Sequence, residues 1–203
     1  MELKIQVFTF LFLMLGPFKI IGPFAKITQN ATPALTRKIA FRAILLSTIA
    51  LLLAAVMGEN ILSNFGIPVP ILAISAGIIL FLVALLNIIQ QFTPHELQQE
   101  HAASIPDMSV ALNPLAFPTI VTPYGIAAVI VFLALTPDLK NKIIIGVIVL
   151  CIMALNLVIM LLTRHIGKLL LVFLALLGAI LGVVQVALGL LIIYNQLKEL
   201  LKA

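Results

Sequence analysis

Asn113-Pro114-Leu115-Ala116-Phe117-Pro118-Thr119-Ile120-Val121-Thr122-Pro123 places three prolines within eleven residues of an otherwise apolar stretch. Near the start of the chain, Gly16-Pro17-Phe18-Lys19-Ile20-Ile21-Gly22-Pro23 places two. Proline lacks the backbone N–H, and its ring collides with the carbonyl four residues earlier, at a cost of about 3 kcal/mol or more inside a helix. Both helices are therefore expected to break, and the freed carbonyls include those of Leu13, Lys19, Pro114 and Thr119.

Outside these two stretches the chain is apolar almost throughout. Of its 203 residues 63% are hydrophobic and only 9% charged, where a soluble domain carries about 25%. With a mean hydropathy of +1.28, this is the composition of an all-α polytopic membrane protein. Hydrocarbon offers a freed carbonyl no donor. Broken backbone at membrane depth is tolerated only where protein or a water-filled cavity surrounds it.

The net charge of +5 comes from Lys and Arg scattered at loops and helix ends, which reads as topology and lipid headgroup contact. No helix-turn-helix pattern or basic stripe points to nucleic acid. The single Cys151 excludes an intramolecular disulfide. The apolar start is followed by Pro17 and Lys19 rather than a small-residue cleavage site, so it is expected to stay attached.

A span needs roughly 20 mostly apolar residues. Six segments qualify, at about 5–28, 39–61, 69–90, 109–135, 143–163 and 169–194. They form one transmembrane domain over 1–203: a first half at about 5–90, a polar loop at about 91–108 and a second half at about 109–194. The halves resemble each other. Thr32-Pro33-Ala34-Leu35-Thr36-Arg37-Lys38-Ile39 matches Thr136-Pro137-Asp138-Leu139-Lys140-Asn141-Lys142-Ile143 at a spacing of 104 residues. Ala73, Gly77 and Ala84 match Gly178, Gly182 and Gly189 at a spacing of 105, each set forming the small-residue face that lets membrane helices approach closely. Three spans per half is an odd number, so the second half enters from the opposite side. The expectation is a 3+3 inverted-topology repeat with helices 1 and 4 broken by Pro and Gly. Paired broken helices in corresponding positions are the sequence pointer to the binding site of a secondary transporter.

The Asn113–Gly125 stretch resembles the signature of the MarC family of bacterial and archaeal membrane proteins, with Pro114-Leu115-Ala116-Phe117-Pro118 its most specific part. Arg37-Lys38-Ile39-Ala40-Phe41-Arg42-Ala43 is similar to the family's first half, as is Gly66-Ile67 followed by Ala76-Gly77-Ile78-Ile79-Leu80-Phe81-Leu82-Val83-Ala84-Leu85. The resemblance covers essentially the whole chain. It implies six spans, a fold related to the LysE-type exporters, transport of small neutral amino acids, and residence in a prokaryotic cell (inner) membrane. One segment departs from the pattern: Gly16 stands where the family has Asp or Asn, Lys19 replaces its glycine, and Pro17 and Pro23 are six residues apart rather than five.

Half-helix N-termini suit a carboxylate and unwound carbonyls suit an ammonium group, so paired breaks suit a zwitterion. The candidate substrate-binding residues are Pro17, Lys19, Gly22 and Pro23 in the first break. In the second they are Asn113, Pro114, Pro118, Thr119, Thr122, Pro123 and Gly125. Lys19 lies about 14 residues, roughly 21 Å, into the first span; an ionisable group at that depth points to a carboxylate site or to proton coupling, and interfacial snorkelling is the alternative. The hydroxyls of Thr119 and Thr122 either contact substrate or cap the broken backbone. Asn156 and Gln185 read as interhelical hydrogen-bonding residues. Ser47, Thr48 and Ser75 are taken as buried without a catalytic partner. His95, Glu96, Glu100 and His101 read as a solvated loop rather than metal ligands, and no cofactor or enzymatic chemistry is expected. A passive channel, an exporter of another small solute and a non-transporting assembly or stress-related partner stay open, as do a coupled proton or sodium ion and a homo-oligomer.

Overall fold

Helices follow the apolar runs, and those starting at Pro33, Pro123 and Leu139 begin where a capping side chain accepts from a first-turn N–H, with Pro33 and Pro123 removing one such donor in the first two. The computed structural model describes residues 2–92, 106–134, 136, 138–163 and 168–201. Every described element is helical. In the first half they are α1 (Glu2–Leu15), a 3-10 turn at Pro17–Lys19, α2 (Ile21–Thr28), α3 (Pro33–Asn64) and α4 (Val69–Phe92). The second half opens with a 3-10 turn at Met108–Ala111 that runs into a wide-turned segment at Leu112–Ile120, followed by α5 (Pro123–Ala134), α6 (Leu139–Leu162) and α7 (Lys168–Leu200). Five stretches are long and apolar enough to cross a bilayer, at Val7–Thr28, Pro33–Gly58, Val69–Leu86, Leu139–Leu162 and Ile180–Leu200. A sixth is the pair Met108–Ile120 and Pro123–Ala134, bent by 58° at its break.

The outer faces of these helices carry exposed Leu45, Ile49, Leu52, Leu53 and Val56 on α3, and Ile143, Val147 and Leu150 on α6. In water such a surface promotes association; in hydrocarbon it meets its own kind. The buried core is built where α1, α3, α5 and α6 converge, around Leu11, Leu15, Phe24, Ile39, Leu51 and Ile152.

Several boundaries differ from expectation, for local reasons. α3 starts at Pro33 rather than about 39, because Thr32 Oγ1 accepts from the Leu35 N–H at 3.2 Å and Pro33 occupies the first helical position. α6 starts at Leu139 rather than about 143, with the Asp138 carboxylate accepting from the Asn141 N–H at 3.3 Å. α7 continues to Leu200, past the expected 194. The turn between α3 and α4 uses Gly66 at φ 60, the left-handed region that costs glycine little. Ser75, read as buried, is exposed, and its hydroxyl donates to the Ile71 carbonyl at 3.0 Å. Thr48 is half-buried and donates to Ile44 O.

The two small-residue faces meet at Gly77 and Gly189. A Cβ on Gly77 would sit 3.0 Å from the Gly189 carbonyl oxygen, and one on Gly189 would sit 2.9 Å from the Gly77 oxygen. α4 and α7 therefore touch backbone to backbone, and larger residues at these positions would hold them apart. The loop bearing His95, Glu96, Glu100 and His101 lies outside the described residues.

Candidate functional site

Pro17 has no N–H to give the Leu13 carbonyl, and the 3-10 turn that follows leaves Met14 and Leu15 without helical donors as well. Gly16 turns the chain sharply here: its N–H donates to Phe12 O at 2.8 Å, and a Cβ at this position would lie 2.1 Å from that same oxygen. Three consecutive carbonyls thus point out of the end of α1, at the negative end of its dipole. Counted from Val7, where the apolar span begins, Leu15 lies about 12 Å in, near the middle of a hydrocarbon core of roughly 30 Å.

Each of these carbonyls has a donor from a side chain. Gln185 Nε2 on α7 donates to Leu13 O at 2.8 Å. Asn156 Nδ2 on α6 donates to Leu15 O at 2.8 Å. The Lys19 ammonium donates to Met14 O and also to the hydroxyl of Tyr124, on the first turn of α5. Lys19 Nζ is 4.4 Å from the Tyr124 ring centroid. At that distance it makes a cation–π contact with the ring as well as the hydrogen bond to its hydroxyl. Tyr124 is 2% exposed and Asn156 1%, so this cluster is screened from bulk solvent. Asn156 Oδ1 is buried and accepts from no group among the described residues.

The second break is organised differently. Asn113 and Phe117, each preceding a proline, leave the helical region at φ −128, ψ 122 and φ −133, ψ 132, as the proline ring demands of its predecessor. Both following peptide bonds are cis. Thr119 Oγ1 donates to Pro114 O at 2.8 Å, and the Val121 N–H reaches Ala116 O at 2.9 Å. Thr122 Oγ1 accepts from the Gly125 N–H at 3.1 Å and so caps α5.

Of the sequence-derived candidates, Pro17, Lys19, Thr122 and Gly125 gather at the meeting of the two breaks. A Cβ on Gly125 would lie 2.6 Å from Leu15 Cδ2, which is how closely α5 approaches the end of α1. Gly22, Pro23, Asn113, Pro114, Pro118 and Pro123 are exposed, with nothing within 4 Å of a Cβ on Gly22. Thr119 is half-buried, and both threonine hydroxyls bond to backbone, the capping alternative of the sequence reading. Tyr124, Asn156 and Gln185 are the additions. The two amides were conspicuous as polar residues in apolar spans; Tyr124 had no signal except its place after Pro123.

Comparison with known proteins agrees with these motifs. The profile of the MarC family integral membrane protein matches residues 1–201. A UPF0056 membrane protein of Methanocaldococcus jannaschii is 32% identical over 139 residues, covering 68% of this chain and 67% of that protein. One from Aquifex aeolicus is 27% identical over 143 residues, covering 70% and 66%. One from Bacillus subtilis is 31% identical over 127 residues, covering 62% and 60%. The matched stretch is thus about two thirds of these relatives' length or less. No solved structure matches the chain.

Proposed function

The chain belongs to the MarC family of integral membrane proteins and is a multi-pass protein of a prokaryotic cell membrane. On that premise we propose that it is a secondary transporter of small solutes, with small neutral amino acids as the substrate class, alternating access around its two broken spans. One observation carries this reading: three consecutive carbonyls at the end of α1, deep in the span, are held by polar side chains from α6, α7 and the first break, beside a tyrosine of α5. A polar cluster drawn from four spans is costly in hydrocarbon and serves a solute pathway. The half-helix ending at Leu15 favours a substrate ammonium, for which Asn156 Oδ1 is an unused acceptor. Lys19 favours the substrate carboxylate.

The inverted repeat belongs to the same proposal. What supports it is the register of the elements. α1, α2, α3 and α4 begin at Glu2, Ile21, Pro33 and Val69, and their counterparts begin at Met108, Pro123, Leu139 and Lys168. Counterparts also pack on one another, α4 on α7 and α3 on α6. A pseudo-two-fold axis in the membrane plane between such pairs allows the two halves to exchange conformations and open one site to either side.

The test is uptake of radiolabelled glycine, alanine and serine into proteoliposomes, with and without imposed proton and sodium gradients. Saturable uptake with counterflow of a preloaded amino acid is the expected result. Non-saturating flux without counterflow identifies a passive channel, and no flux of any amino acid removes the substrate class.

A further inference from the structure

Arg37, Lys38, Phe41, Arg42 and Leu45 form one exposed stripe near the start of α3. Together with Met108, at the opening of the fourth span, and Leu157 and Leu161, near the end of α6, they line an open groove of about 500 Å³. Its lining is apolar, made by Phe41, Leu45, Met108, Leu157 and Leu161, and Arg37, Lys38 and Arg42 line it with their aliphatic stems, the charged ends lying beyond its edge. Arg37 and Arg42 are five residues apart, about 7.5 Å along the helix and roughly 140° around it, so they flank the groove and meet at one phosphate group only through the reach of their long side chains.

No carboxylate among the described residues forms an ion pair with these three cations. Asp107 senses Arg42, but its carboxylate is turned to the backbone, accepting from the Ser109 N–H at 3.3 Å. The start of α6 also carries cations, Lys140 and Lys142, but of the three in the groove only Lys38 has its match there, at Lys142. At the 104-residue spacing that relates Pro33 to Pro137, Arg37 and Arg42 correspond to Asn141 and Gly146. Two of the groove's three cations are therefore particular to α3.

We propose that this groove is a binding site for an anionic phospholipid, its phosphate held by Arg37, Lys38 and Arg42 and one acyl chain lying along Phe41, Leu45, Leu157 and Leu161. A basic pocket between spans at the membrane surface has the chemistry for a negatively charged headgroup. The apolar lining gives an acyl chain a partner that a free anion would leave unused. A zwitterionic headgroup would bring its own cation toward three others, so the site selects for net negative charge. This inference is independent of the transport proposal, because the groove shares no residue with the polar cluster at the end of α1.

The experiment titrates the purified full chain in neutral detergent with phosphatidylglycerol, cardiolipin, phosphatidylcholine or soluble glycerol phosphate, following the unfolding temperature and the lipid retained in native mass spectra. Phosphatidylglycerol and cardiolipin are expected to raise the unfolding temperature and to be retained, the other two not. In Arg37→Gln/Lys38→Gln/Arg42→Gln the anionic lipid should bind about a hundredfold more weakly, with Arg42→Gln alone intermediate. The charge-matched control Lys140→Gln/Lys142→Gln/Lys198→Gln should bind as the parent does. Equal response to phosphatidylcholine, equal response to glycerol phosphate, or equal loss in the control would each overturn the proposal. Should the triple variant not fold, the single variant decides: unchanged lipid retention in Arg42→Gln overturns it.

Discussion

Of the three carbonyls exposed at the end of α1, those of Leu15 and Leu13 find donors 141 and 172 residues away, at Asn156 and Gln185, and only that of Met14 is met locally, by Lys19. Those of the second break find them within five residues, through Thr119 to Pro114 and Val121 to Ala116. The same fault, a proline inside an apolar helix, is thus repaired by the tertiary structure in one half and by the local chain in the other. A locally repaired break does not depend on distant elements for its hydrogen bonds. A break repaired from α6, α7 and the Lys19–Tyr124 contact depends on where those helices sit, so on the transport reading the first break is where solute binding would be felt elsewhere.

The largest effect is expected where the two breaks touch. Gly125→Val puts a side chain into Leu15 and Thr122, 2.6 and 2.8 Å from its Cβ. It should cost about 3 kcal/mol, the upper end of overpacking, visible as a lower unfolding temperature and a smaller monodisperse fraction. A variant as stable as the parent would mean the breaks are not in tight contact.

Next comes Lys19→Met, which removes the donor to Met14 O and Tyr124 while keeping the stem. On the transport reading, uptake should fall at least about tenfold, the scale of one charge-assisted hydrogen bond. Unchanged uptake would make Lys19 a backbone cap alone.

Asn156→Leu and Gln185→Leu each leave a buried carbonyl unpaired, and each should destabilise by about 1–2 kcal/mol, given the modest hydrogen-bond energies measured between membrane helices. Thr119→Val removes one partly exposed local bond and should cost about 0.5 kcal/mol. If chemical unfolding ranks Thr119 above the two amides, the contrast between remote and local repair fails.

The smallest effect is at the start of the fourth span. The N–H groups of Met108 and Ser109 hold the Asp107 carboxyl below the usual carboxylate range. A depressed value means that the charged form stabilises the fold at neutral pH. That contribution disappears as the pH falls through the folded-state value. Asp107 is fully exposed, so only a slight loss of acid sensitivity is expected in Asp107→Asn, measured by unfolding temperature between pH 7 and about 3.

Much of the fold is written in short-range signals. Apolar runs of span length, Thr32-Pro33 and Asp138 as helix starts, and the prolines as breaks are all decided within a few residues. Among the carbonyls expected to open, Leu13 and Pro114 do so, and the partner of Pro114 could be found nearby in Thr119. The partner of Leu13 could not, because nothing local in the sequence ties Gln185 to position 13. The same holds for Tyr124, whose hydroxyl matters only because α5 brings it against Lys19.

From its own residues the chain determines that it lives in a bilayer and that two of its spans cannot run straight, since hydrophobic length and a missing N–H act wherever they occur. Only the packed structure decides which side chains answer the opened backbone. Hydrogen bonds depend on positions accurate to a few tenths of an ångström, and between distant segments those positions exist only once the helices have met.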